Sequence, residues 1–295
     1  MSETTELARH FRIDAGSGYR LKSSDPADTR HFKSKAKAEK VLRRDVERLS
    51  ELQDRLYAQD SWSLLIILQA MDAAGKDSTI KHVMSGVNPQ ACEVTSFKVP
   101  SSEELDHDYL WRTTLRLPRR GHIGIFNRSY YEEVLITRVH SELLRAERLP
   151  RQLVSKRVWQ ERYEDINAFE RHMARNGTVI RKFFLHISRE EQKKRFLARL
   201  NQPEKNWKFS LSDVRERRYW DEYQQAYEDV IRATSTHHAP WYVVPADHKW
   251  FARMIVAAAI IDTLEGLNLA FPTVDREKRR ELTAARKELM GRKKR

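Results

Sequence analysis

The sequence predicts an α/β protein built on a parallel five-stranded sheet. Two observations carry this. Short continuous apolar runs alternate along the chain with long stretches of helical periodicity. One run, Ser63-Leu-Leu-Ile-Ile-Leu-Gln69, passes through a glycine-containing loop directly into a helical stretch.

Taken in order, residues 1–35 mix Gly, Ser, Pro and Asp with few spaced apolar side chains and predict an extended N-terminal arm. From Ser34 to Asp60, Ala36, Val41, Val46, Leu49, Leu52 and Leu56 recur at helical spacing among charges, which predicts an amphipathic helix. The run 63–69 has the composition of a strand buried on both faces. A helix from about Lys76 to Ser85 follows it. Four further strands are expected at residues 93–98, 122–126, 178–187 and 241–244. Helical patterns cover residues 150–175, stopped by Asn176-Gly177, and 212–234, opened by a serine cap. A main domain over residues 36–270 results, followed by a basic tail over 271–295. That tail reads as a solvated helix with thin periodicity at Leu282, Ala285 and Leu289, ending in a disordered basic stub.

With 295 residues and 40% hydrophobic content, the chain can bury one large core. Its net charge of +13 favours a polyanionic partner: nucleic acid, an acidic membrane, nucleotides or an inorganic phosphate polymer. A single cysteine, Cys92, rules out an internal disulfide and fits a reducing compartment; its default role is a small core residue. Met1 to Arg20 has no secretory pattern, and the longest apolar span, Met254 to Leu264, is too short to cross a bilayer. A soluble cytoplasmic protein is expected.

The chemistry centres on Ala70-Met-Asp-Ala-Ala-Gly-Lys-Asp77. A strand, a loop ending Gly75-Lys76 and a helix form the context of a phosphate-binding loop. Unpaired N–H groups at the helix start would solvate phosphate oxygens, and Lys76 would add a mobile point charge. The match to G-x-x-x-x-G-K-[ST] is imperfect, because Ala70 replaces the first glycine and Asp77 the hydroxyl residue. Asp72 and Asp77 place acids in a cradle for anions, a conflict that Mg²⁺ resolves, with Asp72 as a hard oxygen ligand beside phosphates and waters. Asp77 also reads as a first-turn acid stabilised by the helix dipole.

A second constellation, Gly124-Ile-Phe-Asn-Arg-Ser-Tyr-Tyr-Glu-Glu-Val134, falls at a strand's carboxyl end, where open α/β sheets bind ligands. Arg128 would fork onto phosphate oxygens. Glu132 is the favoured second metal ligand, in place of neutral Asn127. A third cluster gathers Arg189, Lys193, Lys194, Arg195, Arg199, Lys205 and Lys208, with Trp207 and Phe209 interleaved. It stands where a basic lid, about residues 189–215, would close over phosphate and exclude water.

Together these residues resemble the second family of polyphosphate kinases over about residues 32–267. The likeness rests on residues 71–77, on Ile80-Lys-His-Val-Met-Ser-Gly-Val-Asn-Pro-Gln90, on 126–135, on Asn206-Trp-Lys-Phe-Ser210 and on Ala239-Pro-Trp-Tyr-Val-Val-Pro-Ala-Asp247. The resemblance implies a three-layer P-loop kinase fold like that of thymidylate kinase, with a helical lid. It implies transfer of a terminal phosphoryl group between inorganic polyphosphate and a nucleoside mono- or diphosphate, AMP or ADP and possibly GDP, with Mg²⁺ or Mn²⁺.

By that likeness Asp72 coordinates metal or orients the acceptor, Lys76 and Arg128 hold the transferring phosphates within the cradle of Ala74, Gly75, Asp77 and Ser78, and Arg199, Lys205 and Lys208 track the polymer. Asn127, where other members carry Asp, and Glu132 are similar to the group that uses both AMP and ADP. Ser78 departs from an expected Gly and Tyr130 from an expected His. A dimer or tetramer is implied, with residues 36–56 and 252–264 as apolar contact surface, and neither nucleic acid nor a membrane is expected as partner. Two other readings stay open: an ATP-driven nucleoside monophosphate kinase, and a non-enzymatic polyanion-binding protein.

Overall fold

A computed structural model describes residues 3–30, 32 and 34–291. Among the described residues six strands form one sheet: β1 (Arg12–Ile13), β2 (Ser63–Gln69), β3 (Cys92–Ser96), β4 (Ile123–Asn127), β5 (Thr178–His186) and β6 (Trp241–Pro245). Their order is β1-β6-β5-β2-β4-β3, and every neighbouring pair is parallel except β1 with β6. The phosphate-loop strand β2 lies between β5 and β4, and all seven of its residues are buried. Its continuous apolar composition therefore follows from having a helical layer on each side.

Two expectations are corrected near the N-terminus. The arm is not extended: the helix Glu3–His10 and β1 pack onto the domain, with Leu7, Ala8, Phe11, Leu21 and Phe32 buried. The sheet accordingly has six strands, and the added one is antiparallel, with Arg12 opposite Tyr242. A two-residue strand has too few positions to show a period.

The helix Lys35–Gln59 begins at Ser34, whose Oγ accepts from Lys37 N–H at 3.2 Å, and ends at Asp60 in the left-handed conformation. It packs against the helix Lys249–Glu265, which is buried almost throughout from Phe251 to Ile261. Each fully buried leucine of the seam, such as Leu49 or Leu56, is stabilised by roughly 1.5–3 kcal/mol over exposure. These two helices were expected to offer contact surface to another copy. Their apolar faces instead cover each other and the sheet.

On the opposite face lie the helices Val158–Arg175 and Trp220–Thr234, reached from β5 by Lys182 bonded to Glu170 and by Phe184 stacked on Tyr227 at 4.0 Å. Three layers result. Val158–Arg175 starts eight residues later than its pattern predicts, because Leu153 and Val154 stay exposed and gain no packing that would extend it. The pattern at residues 212–234 is split: Leu211–Glu216 is capped by Ser210, a 3₁₀ turn follows, and Trp220–Thr234 carries on. The tail helix Arg276–Gly291 buries none of its side chains, and the basic stub 292–295 lies outside the described residues.

Candidate functional site

The chain leaves β2 at Gln69 and turns through residues 70–75 into the helix Lys76–Val83. Ala73 at φ +62° and Gly75 at φ +112° make the turn. A side chain at position 75 would be strained at that φ, so the Gly is needed for the backbone path. Behind the loop, buried Arg195 donates from Nη1 to the carbonyls of Ala73 (3.1 Å) and Ala74 (2.7 Å). Its Nη2 donates to Ala246 (2.6 Å) and Asp247 (2.9 Å). Gln192 adds a bond from Nε2 to Asp72 O at 2.9 Å. The helix Arg189–Asn201 thus fixes the loop's outer carbonyls, which leaves the N–H groups of its inner side for a ligand.

Inside, Lys76 Nζ donates to Ala70 O at 2.8 Å. Across from it stands Arg128, the residue after β4, in the left-handed conformation at φ +65°. Arg128 Nη2 donates to Asp72 Oδ1 at 3.0 Å, and its Nη1 lies 4.0 Å from Glu132 Oε2. Asp72, Lys76, Arg128 and Glu132, predicted from two separate motifs, are therefore one cluster. Withdrawal from water lowers the Lys76 pKa below the usual lysine value, and Arg128 lowers it further. Burial raises the Glu132 pKa, opposed by the Arg128 charge. A phosphate anion arriving there would stabilise both cations.

Asp77 is exposed and accepts from Asn127 Nδ2 at 2.8 Å, while Ser78 Oγ donates to Gly75 O at 3.1 Å. Arg199 pairs with Asp213 at 3.7 Å; burial, and then the Asp72 charge, raise the Asp213 pKa. Among the described side chains, the expected lid cations are engaged separately. Lys205 turns to Gln202 on an exposed 3₁₀ turn, the Lys208 side chain lies outside the described residues, and Arg195 is committed to carbonyls.

Several residues of the site escaped the sequence reading. Gln69 is fully buried; with its amide oriented to suit both ends, it donates to Glu132 at 2.8 Å and accepts from Ser129 Oγ at 3.1 Å. A polar residue closing an apolar strand was the available signal. Below, Tyr130 and Tyr131 both donate to Glu170 Oε1 at 2.8 Å, and Lys182 Nζ donates to Glu170 Oε2 at 2.6 Å. This buried network pins the segment between Arg128 and Glu132; a lysine inside the apolar strand β5 was its trace.

The sequence profile described as polyphosphate kinase 2 matches residues 32–272. The chain belongs to the polyphosphate kinase 2 family. A relative from Rhodopseudomonas palustris, named ADP-polyphosphate phosphotransferase, is 50% identical over 96% of this chain and 98% of its own. One from Meiothermus ruber, named AMP/ADP-polyphosphate phosphotransferase, is 47% identical over 90% and 95%. The crystal structure of polyphosphate kinase 2 from Arthrobacter aurescens superposes with a TM-score of 0.85 at 41% identity, covering 94% of this chain and 96% of that one. The three-layer fold here is thus the P-loop kinase fold of polyphosphate kinase 2 structures. Among the described residues no helix is long and apolar enough to cross a membrane.

Among the described residues, no three His, Cys, Asp or Glu side chains are grouped to hold a metal ion. Asp72 and Glu132 nonetheless both face the Arg128 guanidinium. Two carboxylates, completed by phosphate oxygens and waters, fit the way Mg²⁺ is held in phosphoryl-transfer sites.

Proposed function

We propose that this chain moves a terminal phosphoryl group between inorganic polyphosphate and either AMP or ADP, with GDP as a further acceptor. The observation that carries the reading is Arg128 held between Asp72 and Glu132, opposite Lys76, at the mouth of the phosphate loop. The names of the two bacterial relatives support the acceptors: one carries ADP alone, the other AMP and ADP.

In this reading the N–H groups of Gly75 to Ser78 and the Lys76 ammonium cradle the phosphates, beside Ala74 and Asp77. Lys76 exchanges Ala70 O for a phosphate oxygen. Arg128 swings from its carboxylates onto the transferring group with two parallel N–H donors. Asp72 and Glu132 would hold Mg²⁺, with Mn²⁺ as a substitute. Bound there, the ion would neutralise charge on the transferred group. Catalysis is then chiefly positioning and charge stabilisation. Arg199, Lys205 and Lys208 follow the polymer when the lid segment closes. The reading includes a cytoplasmic location, in keeping with the lone Cys92, whose thiol burial pushes up to about 11, and assembly as a dimer or tetramer.

The test supplies long-chain polyphosphate and Mg²⁺ with AMP, ADP or GDP in turn and follows nucleotide products. ATP from ADP, and ADP then ATP from AMP, are expected. No product above an enzyme-free control overturns the reading, and product from ADP alone removes AMP from it.

A further inference from the structure

The helix Arg276–Gly291 has no buried residue, although an isolated helix of this length is marginal in water. Its charges are sorted. Helical spacing brings Arg276, Arg279, Arg280, Arg286 and Lys287 to one face and Glu277, Glu281 and Glu288 to another. In a merely solvated helix opposite charges recur three or four residues apart and pair. Here Lys278 with Glu281, at 2.7 Å, is the ion pair within the helix, and Arg276, Arg280, Arg286 and Lys287 have none among the described residues. Residues 271–295 carry ten Lys or Arg against four Asp or Glu, a net +6 of the chain's +13.

We propose that the basic face of this helix is a second polyphosphate-binding surface, which holds a distant stretch of the polymer whose end is processed at Lys76. The inference rests on polyphosphate being the substrate. From Arg276 to Lys287 the stripe runs about 16 Å at the rise of an α-helix, long enough to meet several successive phosphates. Polyphosphate offers charge and no bases, and the helix offers charge and no aromatic side chain. Single-stranded nucleic acid is gripped by stacking platforms, which are missing here. A membrane-surface helix needs a broad apolar face, and Leu282, Ala285 and Leu289 make a narrow one.

The test uses the full chain carrying Arg276→Gln, Arg280→Gln, Arg286→Gln and Lys287→Gln together, which touches nothing buried. KM for long-chain polyphosphate should rise at least about threefold, while kcat, KM for the nucleotide and KM for a polyphosphate only a few units long stay the same. The slope of log KM against log salt should fall by about 0.7 for each cation lost that had met a phosphate. An unchanged ratio of long-chain to short-chain KM overturns the inference and leaves the substrate assignment standing. Absence of turnover by the wild type on any polyphosphate overturns the assignment itself. If the four substitutions weaken binding of an RNA oligomer but not KM for long polyphosphate, the helix is a nucleic-acid element and the inference falls.

Discussion

Arg128 Nη2 bonds Asp72 Oδ1 at 3.0 Å, joining the loops that leave two neighbouring parallel strands. The bond places a cation and an acid at one point, each offsetting the other's charge.

Asp72→Asn keeps the shape of the side chain and an oxygen acceptor for Arg128 but removes the negative charge. Turnover should fall by about 10²-fold or more, with the melting temperature close to wild type. Near-normal kcat would dismiss Asp72 as a metal ligand.

Gln69 would act through Glu132, the proposed second metal ligand. Gln69→Leu leaves Glu132 without its 2.8 Å donor at a fully buried position. A loss of roughly tenfold in kcat at unchanged nucleotide KM is expected, and a higher Mg²⁺ concentration for half-maximal rate. If Mg²⁺ dependence does not move, Gln69 is only a packing residue.

Within the helix Arg189–Asn201, two arginines four residues apart should behave differently. Arg199→Gln should raise KM for polyphosphate and flatten its salt dependence without changing the melting temperature. Arg195→Gln removes donors to four carbonyls and should lower thermal stability and activity with every substrate. Equal stabilities of the two variants would contradict this division.

Lys182 and Glu170 are both fully buried. Lys182→Met strands the carboxylate and should cost about 3–5 kcal/mol in denaturant unfolding; a second change, Glu170→Leu, should recover much of it. An additive double variant would show that the two groups are not coupled.

Burial lowers the His186 pKa from 6.5 to about 4. In that window the unfolded chain takes up a proton that the folded chain refuses, so stability falls as pH drops through it. Between pH 7 and pH 5 the loss is about 2 kcal/mol. Denaturant unfolding at both pH values should show the wild type losing that much more than His186→Asn; identical losses would place the acid sensitivity elsewhere.

The parallel strands were legible because each is a short apolar run wedged between helical patterns, and the phosphate loop because its glycine and lysine sit between a strand and a helix. What escaped was held by contacts distant in sequence. Nothing local marks Arg12–Ile13 as a strand, since Tyr242 and Trp241 supply its partners. Arg195 and Arg199 look alike in the sequence, but only the fold shows that Arg195 faces backbone carbonyls. Gln69 and Lys182 were visible as polar residues in apolar strands, yet their partners, Glu132 and Glu170, come from other segments.

The pairing of Arg12 with Tyr242 also bears on how the protein is made. The first helix and strand find their partners only when the last strand and the helix after it have left the ribosome. At the usual speed of translation this is a wait of roughly 10 to 50 s. Throughout it Leu7, Ala8 and Phe11, which end up buried, remain uncovered. A chain that stalls before residue 241 should therefore be a client of chaperones, however well its phosphate loop has formed.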